Sequence, residues 1–140
     1  MKRTFVDACV LIAAATSKVA GNERALSFLD DPGRTWITSD FIRLEVLPKA
    51  LFYNRLNSVG FYEMFFQNSE EVPVSKMLTS KAIELAAKYD LHTLDGLHIA
   101  AAIIGDANEF VTLEKPSKPF FRVNEIKVIS LYQDESWLSS

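Results

Sequence analysis

Sulfur chemistry is almost closed to this chain, because Cys9 is its one cysteine. That excludes an internal disulfide framework and a cysteine-rich zinc site, and it suits a reducing cytosol. A cationic excess is missing too. The 15 Lys and Arg against 18 Asp and Glu leave a net charge of −3 and a pI near 5.4, so no blanket basic surface exists to neutralise phosphates. Any polyanion must be gripped locally or through metal. No run approaches the roughly 20 apolar residues of a membrane span. The opening MKRTFVDACVLIAAATSK carries a short apolar run, Ala8 to Ala15, but Asp7 interrupts the approach to it, unlike a secretory signal. Repeats, low-complexity tracts and a Gly-x-x-x-x-Gly-Lys phosphate loop are also absent. The expectation is a soluble cytoplasmic protein without membrane contact.

What the chain does have is enough apolar residue, 49% of 140, for one ordinary core. One domain is expected over residues 1–132, with a polar tail over 133–140. Thr4 to Asp7 forms a β-favouring run that passes directly into the helix-forming segment Ala8 to Ala15. A helix over residues 22–30 stops at Asp31-Pro32-Gly33, and Thr35 to Thr38 reads as strand 2. Ser39 or Asp40 can cap a helix through Leu47, which Pro48 restarts or kinks. Two helices are expected in the aromatic stretch Ala50 to Phe66, then a marginal edge strand over Glu71 to Val74. Ser75 caps a helix from Lys76 to Lys88 whose apolar stripe is Leu78, Ile83 with Ala82, Leu85 and Ala86. A helix from Asp95 to Ile104 stops at Gly105. Glu109 to Thr112 and Ile126 to Ser130 give strands 4 and 5. Strands alternating with helices argue for an α/β fold with a parallel sheet covered on both faces.

Right-handed crossovers then place four acids on one edge of that sheet. Asp7 closes strand 1, Glu45 falls in the early turns of the helix after strand 2, Asp95 opens the helix before strand 4, and Glu114 follows strand 4 by two residues. Two like charges about 4.5 Å apart repel by roughly 3.7 kcal/mol at an effective dielectric of about 20. A hard divalent cation reverses that cost, and carboxylate oxygens are what Mg²⁺ and Mn²⁺ prefer. Such an ion suits phosphodiester hydrolysis. Taken singly, Glu45 or Glu114 is an ordinary surface charge; the combination carries the expectation.

The segments F-V-D-A-C-V-L-I (5–12), S-D-F-I-R-L-E-V (39–46), L-D-G-L-H-I-A-A-A (94–102) and F-V-T-L-E (110–114) together resemble the PIN domain family, which includes VapC-type toxins. The resemblance implies a three-layer α/β/α sandwich with a central, mostly parallel five-stranded sheet of order 3-2-1-4-5. It implies a metal-dependent ribonuclease whose acids match Asp7, Glu45, Asp95 and Glu114, with Mg²⁺ or Mn²⁺ as cofactor. It also implies an RNA substrate, a small antitoxin partner and a homodimer formed through the aromatic helices. Two positions depart from the family: Glu114 stands where Thr-x-Asp is usual, and Cys9 stands where a hydroxyl or amide is usual. Both departures favour the alternative of a catalytically weak PIN-fold module that works by dimerisation or partner binding.

Secondary candidates have plainer readings beside them. Thr112 is a partner for Asp7 or an ordinary strand-end threonine, and His98 is a carboxylate orienter or a packing histidine. Arg43 and Lys49 flank Glu45 as phosphate clamps or as surface charge. The loop Lys115 to Arg122 mixes cations with aromatics as single-strand binders do, although packing of Phe120 and Phe121 on the sheet fits better. Cys9 reads as a small buried residue rather than a nucleophile. A phosphoryl-transfer domain of the same sheet type is disfavoured: Asp7-Ala8-Cys9 lacks the second acid of a dehalogenase-like phosphatase, and Val74-Ser75-Lys76 lacks the receiver's acid.

Overall fold

Phe5 and Val6 anchor the fold, because both are completely buried on the strand at the middle of the sheet. In the computed structural model, which describes residues 1–133, the chain runs β1 (Lys2–Val6), α1 (Ala8–Ala15), α2 (Asn22–Leu29), β2 (Arg34–Ser39), α3 (Asp40–Phe52), α4 (Leu56–Gln67), β3 (Ser69–Val72), α5 (Lys76–Tyr89), α6 (Thr93–Ile104), β4 (Glu109–Thr112), a short 3-10 turn (Pro119–Arg122) and β5 (Lys127–Ser130). All five strands are parallel, in the order β3-β2-β1-β4-β5. That is the order the resemblance implies. In register, Phe5 sits beside Ile37 on β2 and Phe110 on β4. The Phe5 and Phe110 rings stack at 5.6 Å, and Phe110 meets Phe120 edge-on at 5.6 Å. Three buried rings therefore join β1, β4 and the 3-10 turn. The order reverses between β1 and β4, which opens the crevice where such sheets hold ligands, at their carboxyl ends.

Several expectations need correction. Pro48 does not restart the helix: α3 runs unbroken from Asp40 to Phe52 with Pro48 inside it. Val46 and Ala50 are buried on its inner side, whereas Leu44, whose carbonyl loses the Pro48 partner, is 65% exposed and open to water. The stretch from Ala50 to Phe66 accordingly holds the end of α3 and one further helix, not two. Strand 3 lies two residues earlier than expected, at Ser69–Val72, because pairing of Trp36 to Ser39 with Ser69 to Val72 fixes its register and leaves Pro73 outside the ladder. Ile83 does not belong to the buried stripe of α5; it is 71% exposed, while Leu78, Ala82 and Leu85 face the core. Ser75 does cap α5, its hydroxyl accepting from the Leu78 amide at 3.1 Å. The last helix before β4 begins at Thr93, so Asp95 is its third residue. The tail expected over 133–140 falls, apart from Gln133, outside the described residues. Among the described residues no helix is long and apolar enough to cross a membrane.

Gly105, just past α6, is a position where the packing requires glycine. A Cβ there would lie 2.8 Å from both Ile37 Cγ2 and Val72 Cγ2. Gly105→Ala is expected to destabilise the fold by about 1–3 kcal/mol through overpacking. Urea denaturation checks this, and an unchanged midpoint would contradict it.

Candidate active site

β1 ends at Val6, and the next residue, Asp7, caps α1 in extended conformation. Its amide donates to Val111 O at 2.9 Å, so the sheet holds its backbone. The side chain is buried, with Oδ1 accepting from the Ala8 amide at 2.8 Å and Oδ2 from Thr112 Oγ1 at 2.8 Å. Cys9 Sγ lies 3.5 Å from the same Oδ2 and 3.3 Å from Thr112 Oγ1, and it accepts from the Leu113 amide at 3.3 Å. Thr112 Oγ1 accepts in turn from the Glu114 amide at 3.1 Å. The end of β4 is thus clasped onto the end of β1 through Asp7.

Burial is the main force on the Asp7 carboxyl and holds it above its ordinary value of 3.8, with the Glu45 charge adding to the rise. His98, Thr112 and the Ala8 amide pull the other way without overcoming it. Burial, and after it the Asp7 charge, push the Cys9 thiol up to about 12. It is therefore an S–H donor to Asp7 or Thr112, not a nucleophile.

The second acid arrives on α3. Glu45 Oε1 bonds His98 Nε2 from α6. His98 is 1% exposed and its Nδ1 has no partner among the described residues, so the ring is an orienter of Glu45. One turn before it on α6, Asp95 turns elsewhere: its Oδ2 lies 3.7 Å from Lys118 Nζ in the loop after β4. Glu114 reaches the cluster through its backbone amide on Thr112, its carboxylate being near enough to Cys9 to raise the thiol further. Arg43 pairs with Glu71 at 3.2 Å and Asp40 at 3.5 Å and lies over the Phe66 ring; among the described residues no ion pair joins it to Glu45. Lys49 shares a small pocket with Glu45. Phe120 is buried against Phe110, and Phe121 packs on it at 5.2 Å.

As these side chains stand, no three His, Cys, Asp or Glu among the described residues form a group able to hold a metal ion. The chemistry of the donors nevertheless fits a hard cation. Asp7 is a buried carboxylate with no cation within ion-pair distance among the described residues, Glu45 is near enough to act on its charge, and Glu114 is near enough to act on the adjoining Cys9; all three acids offer oxygen. Lys118 was the partner hardest to see in the sequence, because only folding brings its loop to α6.

Residues 4–116 match the family model described as PIN domain. The chain belongs to the PIN domain family. No curated protein matches the sequence at a significant level. In fold, this PIN domain is similar to VapBC2 from Rickettsia felis bound to a promoter DNA fragment, at TM-score 0.69, 17% identity, 90% of this chain and 96% of that one. It is similar to a toxin–antitoxin complex from Klebsiella pneumoniae at TM-score 0.69 and 20% identity, with 93% and 98% covered. It also resembles VapC20 from Mycobacterium tuberculosis, a toxin that cleaves the sarcin–ricin loop, at TM-score 0.66 and 16% identity, with 89% and 98% covered.

The raised Asp7 carboxyl makes a stability prediction for this PIN domain. The folded chain holds that proton more tightly than the unfolded chain, so the group's contribution is present below the unfolded value of 3.8 and is lost as pH rises through the folded value. In chelator, Asp7→Asn is expected to melt above the wild type at neutral pH, with the two converging below about pH 4. Thermal melts across that range check the sign; a variant melting below the wild type at neutral pH would refute it.

Proposed function

We propose that this PIN domain is a metal-dependent endoribonuclease, the toxin of a VapBC-type toxin–antitoxin pair, acting on single-stranded or loop RNA in the cytoplasm. The observation that carries the proposal is Asp7: a buried carboxylate fixed by backbone and hydroxyl donors at the switch point of the sheet, with the Glu45 charge beside it and no Lys or Arg within ion-pair distance among the described residues. Structural acids are normally surfaced or paired, and an exception at a ligand crevice is where chemistry is expected. Mg²⁺ or Mn²⁺ would be held by Asp7, Glu45, Asp95 and Glu114, and when bound it would activate water and stabilise charge on the phosphodiester.

The chain's own groups prepare that arrangement. Thr112 keeps a proton donor on Asp7 Oδ2 and so favours the ionised acid. His98 restrains Glu45 and spares it the rotamer freedom of an exposed glutamate. Lys118 offsets the Asp95 charge at the rim. Lys49 beside Glu45 is a substrate-side cation, a role that Arg43, already engaged by Glu71 and Asp40, is less free to play. Apolar side chains left exposed on α3 and α4, among them Phe52 at 77% and Leu56 at 72%, support protein partners: an antitoxin segment and a second copy of the chain.

The second reading, a module that binds partners without cutting RNA, is favoured by the Asp95–Lys118 pair and by Glu114 and Cys9 in place of the family's usual residues. Calorimetric titration with Mn²⁺ separates the two, since a nuclease requires millimolar-or-tighter binding. In an RNA cleavage assay with Mn²⁺, Asp7→Asn is expected to lose about a hundredfold or more of the wild-type rate. Equal rates in the two proteins would end the catalytic assignment of Asp7.

A further inference from the structure

Where α1, α3 and the start of α4 meet, a pocket of about 80 Å³ opens beside Glu45. Its polar lining is Thr16, Glu45, Lys49, Arg55, Ser58 and Tyr62. Donors there outnumber acceptors. Tyr62 is only 3% exposed as a residue, and its hydroxyl, the part left open at the pocket, makes no hydrogen bond among the described residues. Lys49 and Arg55 have no carboxylate within ion-pair distance among the described residues. Arg55 is near enough to the Tyr62 phenol to favour its ionised form, against the opposing effect of burial. Ser58 makes one long contact, 3.4 Å to Ala15 O. The one acid of the lining, Glu45, is already engaged by His98. A space for about two or three waters, rimmed by two cations and unmatched hydroxyls, suits a tetrahedral oxyanion.

We infer that this pocket is a phosphate subsite, which takes a backbone phosphate of the RNA strand next to the bond cut at Asp7. The inference rests on the nuclease proposal for the identity of the strand, since Glu45 belongs to both the pocket and the acidic cluster. Lys49 and Arg55 supply the charge, and the Tyr62 hydroxyl supplies an unengaged donor at the pocket that selects an oxyanion over a diffuse negative surface.

The test is fluorescence anisotropy with a labelled 2′-O-methyl single-stranded oligonucleotide, which resists cleavage, in EDTA and over a salt series. The double variant Lys49→Gln/Arg55→Gln is expected to bind at least about tenfold more weakly. Its slope of log affinity against log salt should be shallower by about 0.7, the value for one single-strand phosphate contact. Tyr62→Phe removes the hydroxyl alone and should weaken binding severalfold at unchanged slope. Both cations are exposed, so circular dichroism should show both variants folded, and the tyrosine variant gives an independent arm. With Mn²⁺ and cleavable RNA, the double variant should raise KM while leaving kcat nearly unchanged. Unchanged affinity and slope in the double variant, or no binding by the wild type, overturns the subsite; wild-type cleavage in the same experiment would leave the nuclease proposal standing. Dependence on these residues without any cleavage by the wild type retains the subsite and removes the nuclease. Inorganic phosphate binding as tightly as the oligonucleotide would reassign the pocket to free phosphate, and polyglutamate binding with the same residue dependence would reassign it to an acidic peptide; either overturns the strand assignment.

Discussion

The structure turns on an imbalance between two buried acids. Glu109, at the amino end of β4, is fully buried but answered by Arg34 at 3.0 Å, Thr4 at 2.9 Å and Lys2 at 3.6 Å, with Arg34 itself held by Asp31 and lying over the Phe28 ring. Asp7, beyond the carboxyl end of β1, is almost as deep and meets only neutral donors at hydrogen-bond distance. A buried charge with its partners is close to neutral for stability, and one without them is costly. The two ends of the sheet therefore differ: at one the buried charge is answered by Arg34 and Lys2, and at the other it is left short of positive charge.

Topology decides where that shortage falls. The strand order reverses beside β1, and α3 and α6 both present residues to the same gap. α6 divides its polar residues between two neighbours, sending His98 to Glu45 and Asp95 to Lys118. Each of the two acids is thereby restrained by its own partner.

Much of this could be read from the chain. Helix-forming Ala8 to Ala15 directly after a β-favouring run, the Ser75 cap and the crossover rule were sufficient for the parallel sheet and for expecting Asp7 and Glu45 on one edge. What escaped was decided by contacts between distant segments. Pro48 is tolerated in α3 because Leu44 faces water, a fact of tertiary placement that local propensity does not carry. β3 is slipped by its pairing with Trp36 to Ser39, since Glu70 and Glu71 give no alternation to fix it. Ile83 at helical spacing looks buried until α6 takes the neighbouring face of α5. Lys118 and Arg55 sit in loop or cap positions whose local sequence contains no trace of the acid or hydroxyl each approaches.

Helix α6 is wedged at both extremities by missing side chains. Near its start Gly96 lets the Ala82 carbonyl of α5 come within 3.3 Å of where a Cβ would be, and past its end Gly105 admits Ile37 and Val72. Twelve residues, about 18 Å of rod, are thus seated against a neighbouring helix and two strands. Because a helix transmits translation with little loss, the distance from the far seat sets how far Asp95 and His98 project over the crevice. Residues that never approach the acids thus act as the gauge for their spacing.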